Sequence, residues 1–335
     1  MKRYTTDALR LIALAAILVL VTLVSFSLGR YPIAVGDILD YLFLGNYTDE
    51  NIPILISQVR MPRIIGAILA GGGLAVSGAA YQGLFRNPMV SPDLLGVSSG
   101  AGFGAALAII MSMGILGIQM MAFVAGVGAV MFTLFISRLI GQNHDKILML
   151  VLSGMVVGSL FGALLSLMKY IADSESKLPD ITFWLMGSLS EVSPRELSVV
   201  APVVLLALIP LLLTSWKLNV LSFGDGEASA MGVNTRQLRL TVIGCASLIT
   251  ASIVSITGLI GWVGLIIPHI ARFTVGANHR ILLPASFLSG ASFMLIIDDL
   301  ARTVSTLEIP LGIITSLIGA PLFLFLLKVS SKKVW

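Results

Sequence analysis

Charge is what this chain of 335 residues lacks most: Lys, Arg, Asp and Glu make up 11% of it, against roughly a quarter in a globular protein. That shortage, with 57% hydrophobic residues and a mean hydropathy of +0.99, excludes a soluble fold. Aromatic residues are also few at 7%, while glycines number 33, the composition of apolar helices packed closely through small residues. A single cysteine, Cys245, excludes an internal disulfide, and its apolar surroundings mark it as a small core residue. No G-x-x-x-x-G-K-[ST] occurs, so the chain has no phosphate-cradling loop and is not itself expected to be an enzyme that hydrolyses ATP. The glycine runs at 71–73 and 100–104 lie inside apolar tracts rather than after a strand, which makes them packing surfaces, not nucleotide loops. His144, His269 and His279 are too dispersed for a metal site, and no H-E-x-x-H is present.

Eight tracts have no Lys, Arg, Asp or Glu: 11–29, 64–85, 94–137, 147–168, 197–216, 240–271, 281–297 and 309–327. The third, as one helix, would be about 66 Å long, roughly twice the ~30 Å hydrocarbon core, so it folds back at Met113-Gly114 and Gly117. The sixth is too long for one span and too short for two, and its break at Thr257-Gly258 and Gly261 predicts one full helix and one short one. The expected fold is therefore an all-α polytopic membrane protein of ten transmembrane helices, a single transmembrane domain over residues 1–335. The first tract is too long for a signal-peptide core and no A-x-A site follows it.

An even number of spans places both termini on one side, and Lys2, Arg3 and Arg10 match Lys328, Lys332 and Lys333 there. Threading the chain from that start puts 14 of the 21 Lys/Arg but only 5 of the 17 Asp/Glu on that side, which is cytoplasmic by the positive-inside rule. The pI of about 9.3 then calls for anionic lipid and protein partners rather than nucleic acid. Every Asp and Glu falls at or beyond the tract ends, which counts against an ion-coupled secondary carrier, although backbone-coordinated Na⁺ remains open to one. A membrane-embedded enzyme would need a buried catalytic constellation, and none is present.

Local signals set the helix ends. Ser91-Pro92-Asp93 combines an N-cap hydroxyl, a proline and an acid, so a helix is expected to start there, after irregular backbone around Asn87-Pro88. Ser193-Pro194-Arg195-Glu196 has the capping-box pattern. Gly154, Gly158 and Gly162 recur every four residues, giving the fifth span a face for close packing or for lining a path. The connection 217–239 is the longest on the inner side. In it Asp225 is expected to cap a short helix from Gly226 to Met231, Gly232 to stop it and Thr235 to cap the next.

Four segments in order resemble the FecCD-type family of bacterial ABC importer permeases for iron–siderophore, haem and cobalamin, over nearly the whole chain. The first is Arg60-Met-Pro-Arg63 running on through Leu84-Phe-Arg-Asn-Pro88 to Ser91-Pro-Asp-Leu-Leu-Gly-Val-Ser-Ser-Gly100. The second is Leu218-Asn-Val-Leu-Ser-Phe-Gly-Asp225 through Gly232, and the third Gly258-Leu-Ile-Gly-Trp-Val-Gly264 through Pro268-His-Ile-Ala-Arg272. The fourth is Asp299-Leu-Ala-Arg302 with Leu311-Gly312 and Gly319-Ala-Pro321.

The resemblance implies ten-helix subunits that pair, here as a homodimer, around a central path in the inner membrane. They would bind two ATPase subunits inside and receive substrate from a periplasmic or surface-anchored binding protein outside. It implies that Arg60, Arg63 and Arg302 engage acidic residues of that binding protein. It makes the 226–231 helix the coupling element, with Asp225, Gly226, Glu227, Ala228, Ser229, Met231, Gly232 and Arg236 at the ATPase contact. Pro268, His269 and Arg272 would have a structural or ATPase-facing role at the inner end of the eighth helix. The gate would lie around Asp145, Lys146, Ile147, Leu148 and Met149, continuing along Gly154 and Gly158. No cofactor is expected on this chain, since ATP and magnesium would sit on the partner ATPase. The implied cargo is a metal chelate, with an oxyanion such as molybdate or tungstate as the alternative within the same importer class.

Overall fold

The computed structural model describes residues 2–29, 31–47, 49–140, 146–305 and 307–331; His144, Asp145, Lys332 and Lys333 lie outside them. All regular structure among the described residues is helical, with no strand among them. Eight helices are long and apolar enough to cross a membrane, and two shorter apolar helices accompany them. In chain order these ten are α1 (Lys2–Ser27), α2 (Met61–Phe85), α3 (Val97–Ile110), α4 (Ile115–Ile140), α5 (Lys146–Ile171), α6 (Pro194–Leu213), α7 (Thr235–Thr257), α8 (Val263–Val275), α9 (His279–Thr303) and α10 (Leu311–Ser331). The long third tract does fold back: α3 ends at Ile110 and α4 starts at Ile115, with Gly114 in the turn and Gly117 already inside the helix.

The two short helices are α3, of 14 residues, and α8, of 13. Each is about 20 Å long, less than the ~30 Å core, so each needs non-helical backbone to complete its course. Such backbone is tolerated at membrane depth only when protein covers it. Before α8 the break is sheltered by the end of a short helix, Lys177–Met186: Ser188 N donates to Thr257 O at 2.8 Å, and Leu311 N donates to Gly187 O at 2.9 Å. Gly187 (φ +74°) and Gly258 (φ +68°) face each other's backbone there, and a Cβ on Gly258 would overlap the Trp184 carbonyl.

Before α3 the arrangement corrects one expectation. Ser91 makes no side-chain cap; Pro92–Leu95 forms a single 3₁₀ turn that ends at Gly96 (φ +84°), and α3 begins only at Val97. Asp93 instead accepts from the Ser98 hydroxyl. The capping box at α6 is present as expected, with Arg195 N donating to Ser193 Oγ at 3.3 Å and Ser193 N donating to Glu196 Oε2 at 2.9 Å.

α2 is the axis of the bundle. The apolar window of α2 is 89% buried, against 67% for α7, 61% for α9, 22% for α5 and α10, and 11% for α1. Its glycines account for this, because they let backbones touch. Gly71 meets Gly290 of α9, Gly78 meets Gly264 of α8, and Gly73 meets Ile249 and Ile253 of α7. In each of the first two pairs an added Cβ would overlap a carbonyl of the neighbouring helix. Gly100 and Gly104 of α3 admit the backbone of α4 at Ala125 and Met121 in the same way. The glycine runs are thus helix contacts.

Replacing Gly71 or Gly290 by alanine is expected to destabilise the purified protein by about 1–3 kcal/mol or more, because two backbones must part. Gly244→Ala meets nothing within 4 Å and should be neutral, so comparing the thermal unfolding of these variants checks the assignment.

Candidate functional site

At the end of the bundle where α2 begins, three arginines converge with three carboxylates. Arg63 Nε donates to both oxygens of Asp298 at 3.0 and 2.9 Å, and its Nη1 and Nη2 reach the two oxygens of Glu308 at 3.0 Å each. Arg302 donates to Leu28 O at 2.9 Å and Ser25 O at 2.6 Å, and pairs with Asp299. Ser25 Oγ donates to Asp299 Oδ1 at 2.6 Å. The Arg60 guanidinium donates to the carbonyls of Phe26 and Tyr31. A side chain on Gly29 (φ +141°) would lie 3.3 Å from Arg60 Nη2 and 3.4 Å from Arg302 Nη1, so the glycine lets both guanidinium groups wrap the end of α1. In the following loop the Tyr31 hydroxyl donates to Asp49 at 2.5 Å and holds that carboxyl below the usual range.

The three arginines to which the resemblance gave a docking role are largely buried in the chain. Arg60 and Arg302 are 5% and 9% exposed, and the side chain of Arg63 is 11% exposed. Most of their donors are used inside the chain, clamping α1, α2, α9 and the loop before α10 together, while the buried Arg302 Nε makes no hydrogen bond. Asp298 and Glu308, and the pairing of Asp299 with Arg302, were what sequence reasoning missed. The signal for two of them was present, since Asp298 and Asp299 precede Arg302 by four and three residues on one helix.

The opposite end of α2 carries the second constellation. Arg86, in the left-handed region at φ 51°, closes α2, and its Nη1 comes within 3.9 Å of a Cβ built on Gly224. A short helix, Asp225–Ala230, starts there. Its N-cap is Gly224, not Asp225, because the Asp225 carboxylate is drawn to Arg239 at 2.6 Å. Gly232 (φ +79°) stops the helix as expected. Asn234, not Thr235, caps α7, accepting from Gln237 N at 3.0 Å. Ala228 is buried, while Gly226, Glu227, Ser229, Met231, Gly232 and Arg236 are exposed, so one face of this helix is anchored and the other is open.

Asn219 connects this region to α9: its Oδ1 accepts from His279 N at 2.8 Å, and its Nδ2 donates to Asn278 Oδ1 at 2.7 Å. Pro268, His269 and Arg272 lie in α8 at the same end. Arg272 Nη1 donates to Gln82 Oε1 at 2.6 Å, and Gln82 Nε2 donates to Leu265 O at 3.1 Å, tying α8 to the last turn of α2. His269 is buried, with its ring edge-on to Phe273.

The gate expected at the start of α5 has an alternating pattern. Lys146 and Leu148 are exposed, Ile147 and Met149 half-buried, and Leu150 buried. Gly154 is buried against the turn before α3, where a Cβ would overlap Leu94 O; Gly158 is half-buried beside Gly96, and Gly162 faces open space. The glycine ridge therefore packs at one end only. The other face of α5, with Leu152, Met155 and Val156, is exposed, and so are Leu317, Leu324 and Phe325 of α10.

At the arginine end a cavity of ≈500 Å³ opens between the α3–α4 turn, helix Lys177–Met186, the α7–α8 break and the loop before α10. Trp184, Ser188, Glu191, Thr257 and Glu308 line it. Nothing in the sequence alone pointed to this space, because its walls come from four separate segments.

Comparison with known proteins adds independent findings. A sequence model described as the FecCD transport family matches residues 17–329. The molybdate import system permease of Haemophilus influenzae is 44% identical over 316 residues, 93% of each chain. The cobalamin import system permease of Halobacterium salinarum is 40% identical over 280 residues, 83% of this chain and 74% of that one. A solved metal-chelate type ABC transporter in an inward-facing conformation superimposes with a TM-score of 0.86 at 43% identity, covering 95% of this chain and 98% of that chain.

Arg63→Ala leaves Asp298 desolvated without its partner and is expected to cost about 3–5 kcal/mol, seen as a lower unfolding temperature in detergent. Arg63→Lys should recover little of it, because an ammonium cannot span two carboxylates at once. An unfolding temperature unchanged in Arg63→Ala would remove the clamp.

Proposed function

Given that the chain belongs to the FecCD transport family, we propose that it carries a metal chelate, an iron–siderophore, haem or cobalamin, through the inner membrane as one half of a homodimeric importer. It is the permease of an ABC importer, a class that works with ATPase and binding-protein partners. The observation that carries the reading is a family match along nearly the whole length, on a bundle whose two functional ends lie about 37 Å apart along α2.

In this reading the ten helices span the membrane with both termini in the cytoplasm. The exposed face of Asp225–Ala230 seats in a cleft of the ATPase, with Glu227, Met231 and Arg236 as contacts. ATP and magnesium stay on the two ATPase subunits, and the permease itself makes and breaks no bond. ATP-driven approach of those subunits pulls the paired short helices together. The bundles then alternate between states open to either side. The exposed apolar faces of α5 and α10 border the path with a second copy, and the ≈500 Å³ cavity beside Glu308 serves as the vestibule on the side of the binding protein. Arg60, Arg63 and Arg302 keep the docking role that the resemblance gives them, as the basic residues at the end of the bundle that the binding protein meets. What remains exposed on that side is chiefly acidic, with Asp40, Glu50, Glu175 and Glu191 among it.

A second reading, an oxyanion importer, is favoured by one observation, the 44% identity to a permease named for molybdate. Selectivity is expected to reside in the binding protein, because the flexible, Met-containing faces of α5 supply no polar recognition pattern. Calorimetric titration of the cognate binding protein with ferric siderophore, haem, cobalamin and molybdate separates the two readings. Tight binding of a chelate alone supports the first, and of molybdate alone the second.

For the coupling element, combining Glu227→Arg with Met231→Asp alters only exposed side chains. It should lower ATPase co-purification at least tenfold while leaving the yield of monodisperse permease unchanged. Undiminished co-purification would reject the assignment.

A further inference from the structure

Beside the first turns of α1, the loop between α8 and α9 encloses a cavity of ≈420 Å³ lined by Asp7, Arg10, Arg272, Phe273 and Asn278. Arg10 is half exposed, and its carboxylate neighbour, Asp7, stands 3.7 Å away, at the limit of an ion pair. Arg272 gives one N–H to the neutral amide of Gln82 and, among the described residues, makes no ion pair. Two guanidinium groups against one carboxylate leave surplus positive charge. The positive end of the 25-residue α9 opens onto the same space through its N-cap, Asn278.

The setting is that of a membrane surface. The uncharged stretch of α1 starts at Leu11, directly after Arg10 of the cavity wall. Just beyond it, Leu11 and Leu14 of α1 pack with Ala271, Val275 and Leu282. Phe273 is 42% exposed at the rim, and Leu9, next to Arg10, is 65% exposed. An arginine pair over an apolar flank suits a ligand that is an oxyanion at one end and hydrocarbon at the other. Guanidinium binds phosphate oxygens through parallel hydrogen bonds, and basic pockets between membrane helices hold acidic headgroups.

We infer that this cavity binds the phosphate of an acidic phospholipid headgroup between Arg10 and Arg272, with the acyl chains running past Phe273. Free phosphate shares the oxyanion chemistry but leaves the apolar rim unused. The inference needs only that the chain crosses lipid, and it stands or falls apart from the importer reading.

Native mass spectrometry of the purified full chain, titrated with short-chain phosphatidylglycerol, phosphatidylcholine of the same chain length and inorganic phosphate, tests it. One phosphatidylglycerol per chain should bind at least tenfold more tightly than phosphatidylcholine. Arg10→Gln should weaken it about fivefold, the contribution of one cation near an anionic headgroup, and Asp7→Asn should tighten it. Equal binding of the two lipids, or an affinity unchanged in either variant, overturns the site. Inorganic phosphate that displaces the lipid at equal concentration overturns the lipid as its source.

Discussion

Direct backbone contact along α2 is the constraint on which the remaining structure rests. In lipid, helices gain little from burying apolar side chains against one another, because the surrounding hydrocarbon is as apolar as they are; close van der Waals packing must do more of the work. Gly71, Gly73 and Gly78 remove the side chains that would hold α9, α7 and α8 away, and Gly264 and Gly290 reciprocate from the other side. The helix that results is the most buried of the bundle, and its ends fix where everything else can go.

One end gathers charge and the other gathers connections. Arg63 on α2 and Asp298 on α9 are brought together because the glycine contact sets the spacing of those two helices. Arg60 and Arg302 then close around the end of α1. Taking Arg60, Arg63, Arg302, Asp298 and Asp299 largely out of water is costly, and the cost is offset only because each guanidinium is matched by carboxylates or backbone carbonyls. Glu308 extends the clamp into the loop that leads to α10, so the start of that helix is tied to α2. At the far end Arg86, Gln82 and Arg272 bring the helix Asp225–Ala230 and α8 to the last turn of α2. In the reading proposed above, a push on the short helix reaches the central helices through these residues.

Open surfaces lie where packing stops. The open faces of α5 and α10 and the free side of the short helix are the parts that the bundle does not use for itself. The break between α7 and α8, and the irregular backbone before α3, are covered by neighbouring segments, as unpaired peptide groups in a membrane require. The short helix Lys177–Met186 provides that cover on the arginine end and forms one wall of the cavity there.

Composition and the spacing of charge alone determined a membrane bundle, the number of apolar helices, the fold-back at Gly114, the break at Gly258 and the position of the short helix stopped by Gly232. These follow from local costs: a charge in hydrocarbon, a proline without an N–H, a glycine free to take positive φ. Which groups Arg60, Arg63 and Arg302 bind within the chain was not a local matter. Their carboxylates are 235 or more residues away for Arg63, and the carbonyls that Arg302 binds are 274 or more away. Caps such as Gly224 and Asn234 were likewise settled by competition, Asp225 being claimed by Arg239 from the next helix. Only the tertiary structure decided these, because a side chain's role depends on which distant donors and acceptors the packing of α2 brings within reach.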